Sequence, residues 1–185
     1  MVPDQDDKVI SVVPPDHAEV IPILDFGSQY AQLIARRVRE AGAFSLLVAP
    51  DTPVEQLQTL NAKGLILSGG PASVIEPGAP QCDERIFAMG VPILGICYGM
   101  QLACRTFGCD VRQAAKREYG SARLVIDEPG NLLTNIPSRT TVWMSHGDQL
   151  GNLEQQFEQL AHTDTCPFAA VRHRSRPFYG VQFHP

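Results

Sequence analysis

Residues 91–101 read Val-Pro-Ile-Leu-Gly-Ile-Cys-Tyr-Gly-Met-Gln, an apolar strand that runs through Gly95-Ile96-Cys97-Tyr98-Gly99 into a helix start. This is the pattern of a nucleophile elbow with cysteine in the nucleophile's place. Such a turn holds one side chain in a strained backbone conformation, and glycines two residues to either side let strand and helix pack closely around it. The expectation is a thiol exposed at the tip of a sheet. It would lie beside the partial positive charge and unpaired N–H groups of a helix over 98–108, which favour thiolate over thiol. A second candidate closes the chain, where Tyr179-Gly180-Val181-Gln182-Phe183 reads as a strand that delivers His184 at its C-terminal end. A histidine there can act as proton carrier for Cys97 if the two strands are parallel and end on one rim.

The elements that must position these two residues alternate in type. Val20–Phe26 is a buried-strand run closed by Gly27-Ser28, after which Tyr30, Leu33, Ile34, Arg37 and Val38 recur at helical spacing up to Gly42, with Ser28 as the expected cap. Phe44–Val48 reads as a strand, Pro53–Leu60 as a short helix, Gly64–Leu67 as a strand ending at Ser68-Gly69-Gly70-Pro71, and Pro80–Met89 as a helix leading to the strand at Val91. Strands separated by helices imply parallel pairing with ligands at the strand ends, where the elbow sits. Beyond Gly108 the pattern shifts to shorter β-type pieces at Cys109–Arg112, Ala122–Ile126, Thr141–Met144, Ala169–His173 and Phe178–Phe183, which reads as an antiparallel extension that returns to the main sheet. Residues 1–18, with Pro3, Pro14, Pro15 and scattered charges, are expected to be a mobile leader ahead of one domain over residues 19–185.

With 185 residues, 44% of them hydrophobic and 19% charged, the chain suffices for one globular domain. A net charge of −5 argues against nucleic acid or anionic lipid as a partner. Five cysteines, at 82, 97, 104, 109 and 166, form no CxxC pair and no zinc-ligand spacing, which implies reduced thiols in a cytoplasmic protein and no metal site. No apolar run reaches the length of a membrane span, and the start is acidic where a signal peptide is basic.

Taken together, Ile66-Leu67-Ser68-Gly69-Gly70-Pro71, Gly95-Ile96-Cys97-Tyr98-Gly99-Met100-Gln101 and Gly180-Val181-Gln182-Phe183-His184-Pro185 resemble the class I, triad-type glutamine amidotransferases in order and spacing. Asp25-Phe26-Gly27-Ser28-Gln29-Tyr30, Lys116-Arg117-Glu118-Tyr119-Gly120 and Trp143-Met144-Ser145-His146-Gly147-Asp148 are similar to the branch of that family found in GMP synthetases. The resemblance implies a flavodoxin-like α/β fold with a mostly parallel sheet flanked by helices and a small antiparallel extension. It implies glutamine as substrate, Cys97 as nucleophile, His184 as proton carrier, the N–H groups of Gly70 and Tyr98 as oxyanion hole, and Gln101, Ser145 and His146 as the glutamine pocket. Physical chemistry agrees in part: Tyr98 N–H is the helix-start donor after the nucleophile, and Gln101 lies one helical turn beyond Cys97 on the same face. Gly69-Gly70 also reads as a plain loop turn, and His146 equally as a structural histidine.

For a partner, the same resemblance implies an ATP-pyrophosphatase, present as a further domain or a separate chain, which would adenylate xanthosine monophosphate with ATP and magnesium and aminate it to GMP. The amidotransferase domain itself implies no cofactor. Family members follow His-Pro with a glutamate that orients the imidazole, whereas this sequence stops at Pro185, so a domain truncated at its C-terminal end is expected. Alternatives are the glutaminase component of another class I amidotransferase and a silent glutamine-binding module. Asp25-Phe26-Gly27 imitates a kinase magnesium motif with no nucleotide loop to accompany it. Cys104 and Cys109 are expected to pack at the end of the nucleophile helix, and Arg172-His173-Arg174-Ser175-Arg176 to form a solvated hairpin or a partner contact.

Overall fold

The computed structural model describes residues 19–185, so the expected leader lies outside the described residues. The early apolar runs are strands β1 (Val20–Leu24), β2 (Phe44–Val48), β3 (Leu65–Leu67) and β4 (Ile93–Ile96). They pair in parallel in the order β2-β1-β3-β4, within a residue or two of the sequence runs that announce them. Helices α1 (Ala31–Glu40), α2 (Val54–Thr59) and α3 (Tyr98–Thr106) stand where helical spacing puts them. Two details differ. Ser28 is not the helix cap: its Oγ accepts the N–H of Tyr30 at 3.1 Å, and α1 begins behind Tyr30 without a side-chain cap. Pro80–Met89 holds only a 3-10 turn, Glu84–Ala88, entered at Asp83, whose carboxylate accepts from Arg85 N–H at 3.0 Å and from Val54 N–H at 3.1 Å. Only Ile86 and Phe87 of that turn are buried, a contact that one tight turn satisfies.

The later half is β5 (Val111–Ile126), β6 (Arg139–Leu150), β7 (Phe157–His162), β8 (Ala170–His173) and β9 (Phe178–Val181). One sheet results, in the order β2-β1-β3-β4-β9-β8-β7-β5-β6. The last strand thus returns to the middle, parallel to β4 and antiparallel to β8. Two pieces expected to be separate, Cys109–Arg112 and Ala122–Ile126, belong to the two ends of the single long strand β5, and β7 has no counterpart among the expected strands. The far edge curls back: His184 N–H donates to the Trp143 carbonyl at 2.9 Å, an isolated bridge that ties β6 to the end of β9.

Alternate residues of the central strands feed two apolar clusters, as a period of two requires. Leu24, Leu65, Leu67 and Ile93 join Leu57, Met100 and Phe178 on one face, while Ile23, Ile66 and Ile96 join Met144, Leu160 and Val181 on the other. Cys104 and Cys109 are buried at the end of α3, as their spacing suggests. The basic hairpin between β8 and β9 is exposed from Arg174 to Pro177, as expected, and is also anchored to the body of the fold. Arg172 pairs with Glu158 at 2.7 Å, Arg174 donates to the Phe157 carbonyl at 3.1 Å, and Arg176 donates to the Phe87 carbonyl at 2.9 Å with its guanidinium over Phe107. His173 is buried beneath it and accepts the N–H groups of Ser175 and Arg176.

Candidate active site

Between β4 and α3, Cys97 has φ +50° and ψ −106°, a left-handed conformation that strains any residue with a Cβ. The flanking glycines make this turn possible. A Cβ at Gly95 would stand 2.7 Å from Met100 N, and one at Gly99 would strike the Leu67 carbonyl of β3. The β4/β9 register sets Gly95 opposite Gly180 and Ile96 opposite Val181, and Cys97 N–H donates to the Val181 carbonyl at 2.7 Å. His184 is therefore delivered beside the elbow. The point that a Cβ on Gly69 would occupy lies 3.7 Å from Cys97 Cβ and 3.5 Å from His184 Cε1.

Gly70, Cys97, Tyr98, Gln101, Ser145, His146 and His184 all line one cleft of about 630 Å³ at the C-terminal rim of the parallel strands. Its remaining walls include Arg117, Glu76 and Asp148, a cation and two carboxylates. The loops after β1 and β3 are joined beneath it. Ser68 Oγ accepts the Phe26 N–H at 3.0 Å, and the Asp25 carboxylate accepts the N–H groups of Gly27 and Ser28 at 2.9 and 3.0 Å. Asp25-Phe26-Gly27 is accordingly a side-chain-closed turn, which accounts for its residues without a metal.

The sulfur departs from expectation in two respects. Cys97 is only 7% exposed, so the thiol sits under cover at the base of the cleft and not at an open tip. Burial pushes it up to about 11, against the smaller lowering effects of the Tyr98 N–H and the Gln182 side chain. The helix N-terminus does act as expected, but withdrawing the sulfur from water outweighs it. The S–H donates toward the Ser145 carbonyl at 3.8 Å. His184 is held below its ordinary value, first by burial and then by the charge of His146. A thiol displaced upward and an imidazole displaced downward favour the neutral pair over thiolate and imidazolium. The His184 ring lies 5.0 Å from the Tyr30 ring, and no carboxylate forms an ion pair with it among the described residues.

Neither Gly70 N–H nor Tyr98 N–H has a backbone acceptor among the described residues, both residues line the cleft, and the Tyr98 N–H faces the Cys97 sulfur. Ser145 contributes its carbonyl to the thiol. Gln101 commits its Nε2 to the Asp148 carbonyl at 2.8 Å and to Gln182 Oε1 at 3.0 Å. His146 is 4% exposed and engaged at both nitrogens: Nδ1 lies 3.0 Å from the Asp148 carbonyl and Nε2 lies 3.1 Å from a Glu118 oxygen. Of the two readings of His146, the hydrogen bonds give it a structural task, and its place in the lining leaves contact with a ligand open.

Sequence reasoning misses Gln182 and Glu118 as site residues. Gln182 is fully buried with Nε2 3.4 Å from the Cys97 sulfur, and Glu118 anchors His146 while accepting the Thr163 hydroxyl at 3.0 Å. Both lie inside strings already singled out, and Gln182 stands two residues before His184, the spacing that puts strand residues on one side. Glu118, His146 and Cys166 hold their ligand-type atoms within 4.8 Å of one another, the grouping nearest to a metal site among the described residues. The hydrogen bonds of Glu118 to His146 and Thr163 account for the cluster without an ion.

A model of the class-I glutamine amidotransferase family matches residues 22–185. Proteins named glutamine-hydrolysing GMP synthase from Nostoc sp. and Gloeobacter violaceus are 54% and 52% identical to the chain over 167 residues, 90% of its length. The chain spans 31% and 30% of their lengths. A solved Thermoplasma acidophilum protein, described as a GMP synthase subunit, superposes with a TM-score of 0.83 at 33% identity, covering 91% of this chain and 85% of that one. A glutamine amidotransferase from Thermotoga maritima shares the fold, with a TM-score of 0.69 at 20% identity over 91% of this chain and 76% of its own.

Proposed function

The chain belongs to the class-I glutamine amidotransferases, and on that premise we propose that the cleft is a glutaminase site. The observation that carries the reading is the strained Cys97 elbow with His184 across Gly69, both in one polar cleft. Glutamine enters with its side-chain amide at the sulfur, and Arg117 with Glu76 or Asp148 offers opposite charges to its α-carboxylate and α-ammonium groups. Cys97 attacks the amide carbon while its proton passes to His184, and the carbonyl oxygen takes up negative charge. Gly70 N–H and Tyr98 N–H receive that oxygen. His184 returns the proton to the departing nitrogen, and ammonia leaves a thioester. Water, deprotonated by His184, then attacks the thioester carbon, releases glutamate and restores the thiol.

The finer reading is that this ammonia serves amination of xanthosine monophosphate to GMP in the cytoplasm. It is supported by the names of relatives more than half identical to the chain, and by the likeness to the Thermoplasma GMP synthase protein. The partner would be an ATP-pyrophosphatase, in the same polypeptide or a separate one, with ATP and magnesium bound there and not in the cleft. No described helix is long and apolar enough to cross a membrane.

A diazo-ketone analogue of glutamine tests the site. Peptide mapping is expected to find the label on Cys97 and not on Cys82, Cys104, Cys109 or Cys166, since Cys97 alone joins a helix N-terminus to the cleft. Equal labelling of several thiols, or full glutamine hydrolysis by Cys97→Ala, would overturn the assignment.

A further inference from the structure

Building on the glutaminase reading of the cleft, we propose that Gln182 is a further catalytic residue, whose side-chain N–H donates to the Cys97 sulfur and holds the thiolate as it forms. Gln101 is the positioning residue that keeps the Gln182 amide turned that way.

Donor and acceptor inventory fixes both amides. The Asp148 carbonyl can only accept, so the Gln101 atom 2.8 Å from it is the NH2 nitrogen. That group has a second hydrogen, and the atom it meets 3.0 Å away on Gln182 must be the oxygen. The other end of Gln182 is then its NH2, 3.4 Å from the sulfur. One backbone carbonyl thus orients two amides whose oxygen and nitrogen are otherwise interchangeable. The same carbonyl faces His146 Nδ1 at 3.0 Å, and His146 Nε2 lies 3.1 Å from Glu118. A continuous line of hydrogen bonds therefore runs from a carboxylate on β5 to the nucleophile.

The sulfur has need of such a donor. Burial pushes the thiol up, and the Tyr98 N–H and the Gln182 side chain are the groups that bring it down. Tyr98 N–H has a competing task if it also receives the substrate oxygen, whereas the Gln182 NH2 is free for the sulfur throughout. A neutral amide suits the position. Gln182 is fully buried, and a cation there would be costly to desolvate and would hold the thiolate permanently. The register of β9 on β4 places the residue, because Cys97 N–H to the Val181 carbonyl at 2.7 Å sets the next residue beside the elbow.

The titratable groups around the sulfur are His184 beyond β9, His146 and Asp148 on β6, and Cys166 in the β7–β8 loop. None of them is altered by Gln182→Met, which keeps the volume and removes the donor. The test is alkylation of the whole chain by iodoacetamide near neutral pH, with the Cys97 peptide quantified by mass spectrometry. Losing a charge-assisted hydrogen bond lowers the thiolate population about 10- to 100-fold, and the greater nucleophilicity of a more basic thiolate returns part of that, leaving alkylation about 3- to 10-fold slower. Gln101→Met is expected to slow it by a smaller factor, since Gln182 stays but is free to turn. The double variant should be no slower than Gln182→Met alone, because the Gln101 contribution passes through Gln182.

Unchanged alkylation of Cys97 in Gln182→Met, or effects of the two substitutions that simply multiply, would overturn the proposal. Glutamine hydrolysis is not needed for this readout. A chain whose Cys97 ignores the diazo-ketone but still shows the alkylation pattern would sink the glutaminase reading and leave the Gln182 contact standing.

Discussion

With the Cys97 thiol pushed up to about 11 and His184 held below 6.5, burial favours the neutral pair at rest, so in the proposed reaction proton transfer accompanies attack on the substrate. The sign of the pH dependence follows. Because the folded imidazole releases its proton at a pH below its ordinary 6.5, it remains a base as the medium becomes mildly acidic. The acid limb of kcat/KM for glutamine hydrolysis should therefore have its midpoint under 6.5, and a midpoint above that value would contradict the environment described for His184. Iodoacetamide alkylation of Cys97 should keep accelerating well beyond pH 9, the ordinary value for a thiol. At this scale the sequence is legible where a motif coincides with a backbone constraint, as at Cys97, Gly99 and His184. It is illegible where solvent decides. The letters of residues 91–101 spell an elbow but do not say that Ser145 and Gln182, brought from distant parts of the chain, will cover the sulfur.

Among the elements, β1 to β4 can be read closely because strands covered on both faces are continuous apolar runs bounded by turns. The ribbon of β5 and β6 lacks that signal. From Arg112 to Arg123 no residue of β5 is buried, so neither face carries an apolar alternation, and only the ends at Val111 and Leu124 announce a strand. In β7 the polar pair Glu158-Gln159 interrupts Phe157 and Leu160 and hides the period. The seam most sensitive to substitution is the close approach of β3, β4 and α3 at the elbow. Gly99→Ala puts a methyl group into the Leu67 carbonyl, a backbone atom that cannot turn aside. It should cost about 1–3 kcal/mol, read as a lower urea midpoint at unchanged m-value, and it should depress glutamine hydrolysis further than the lost stability explains. Wild-type stability in that variant would mean the elbow is looser than its contacts imply.

For the molecule as a whole, the buried titratable groups bound the pH range of stability from both sides. His173 and His184 are lowered from 6.5, so below that value the unfolded chain binds more protons and stability falls as the medium acidifies. Cys82, Cys97 and Cys166 are raised from 9.0 to about 12, 11 and 12, so above 9.0 the unfolded chain gives up protons that the folded one retains, and stability falls again. Cys109 acts the other way, lowered from 9.0 to about 7 by its hydrogen bond with Cys104, so the folded chain releases that proton first and stability rises between about 7 and 9. Urea midpoints should therefore peak near pH 9 and fall above it as well as below 6.5; a midpoint that rises steadily across pH 9 would contradict the burial of the other thiols. Topology carries a further consequence. β9 is the last of these strands made by the ribosome, yet it fills the gap between β4 and β8 in the middle of the sheet. During synthesis the first four strands and the later hairpins can form only as two unjoined halves with open edges, and contacts of such long sequence separation are slow to close. Cys97 emerges long before the histidine that completes its site. A nascent chain therefore displays the thiol without the histidine proposed as its proton carrier, and final insertion of β9 is the step that both covers the sulfur and completes the proposed site.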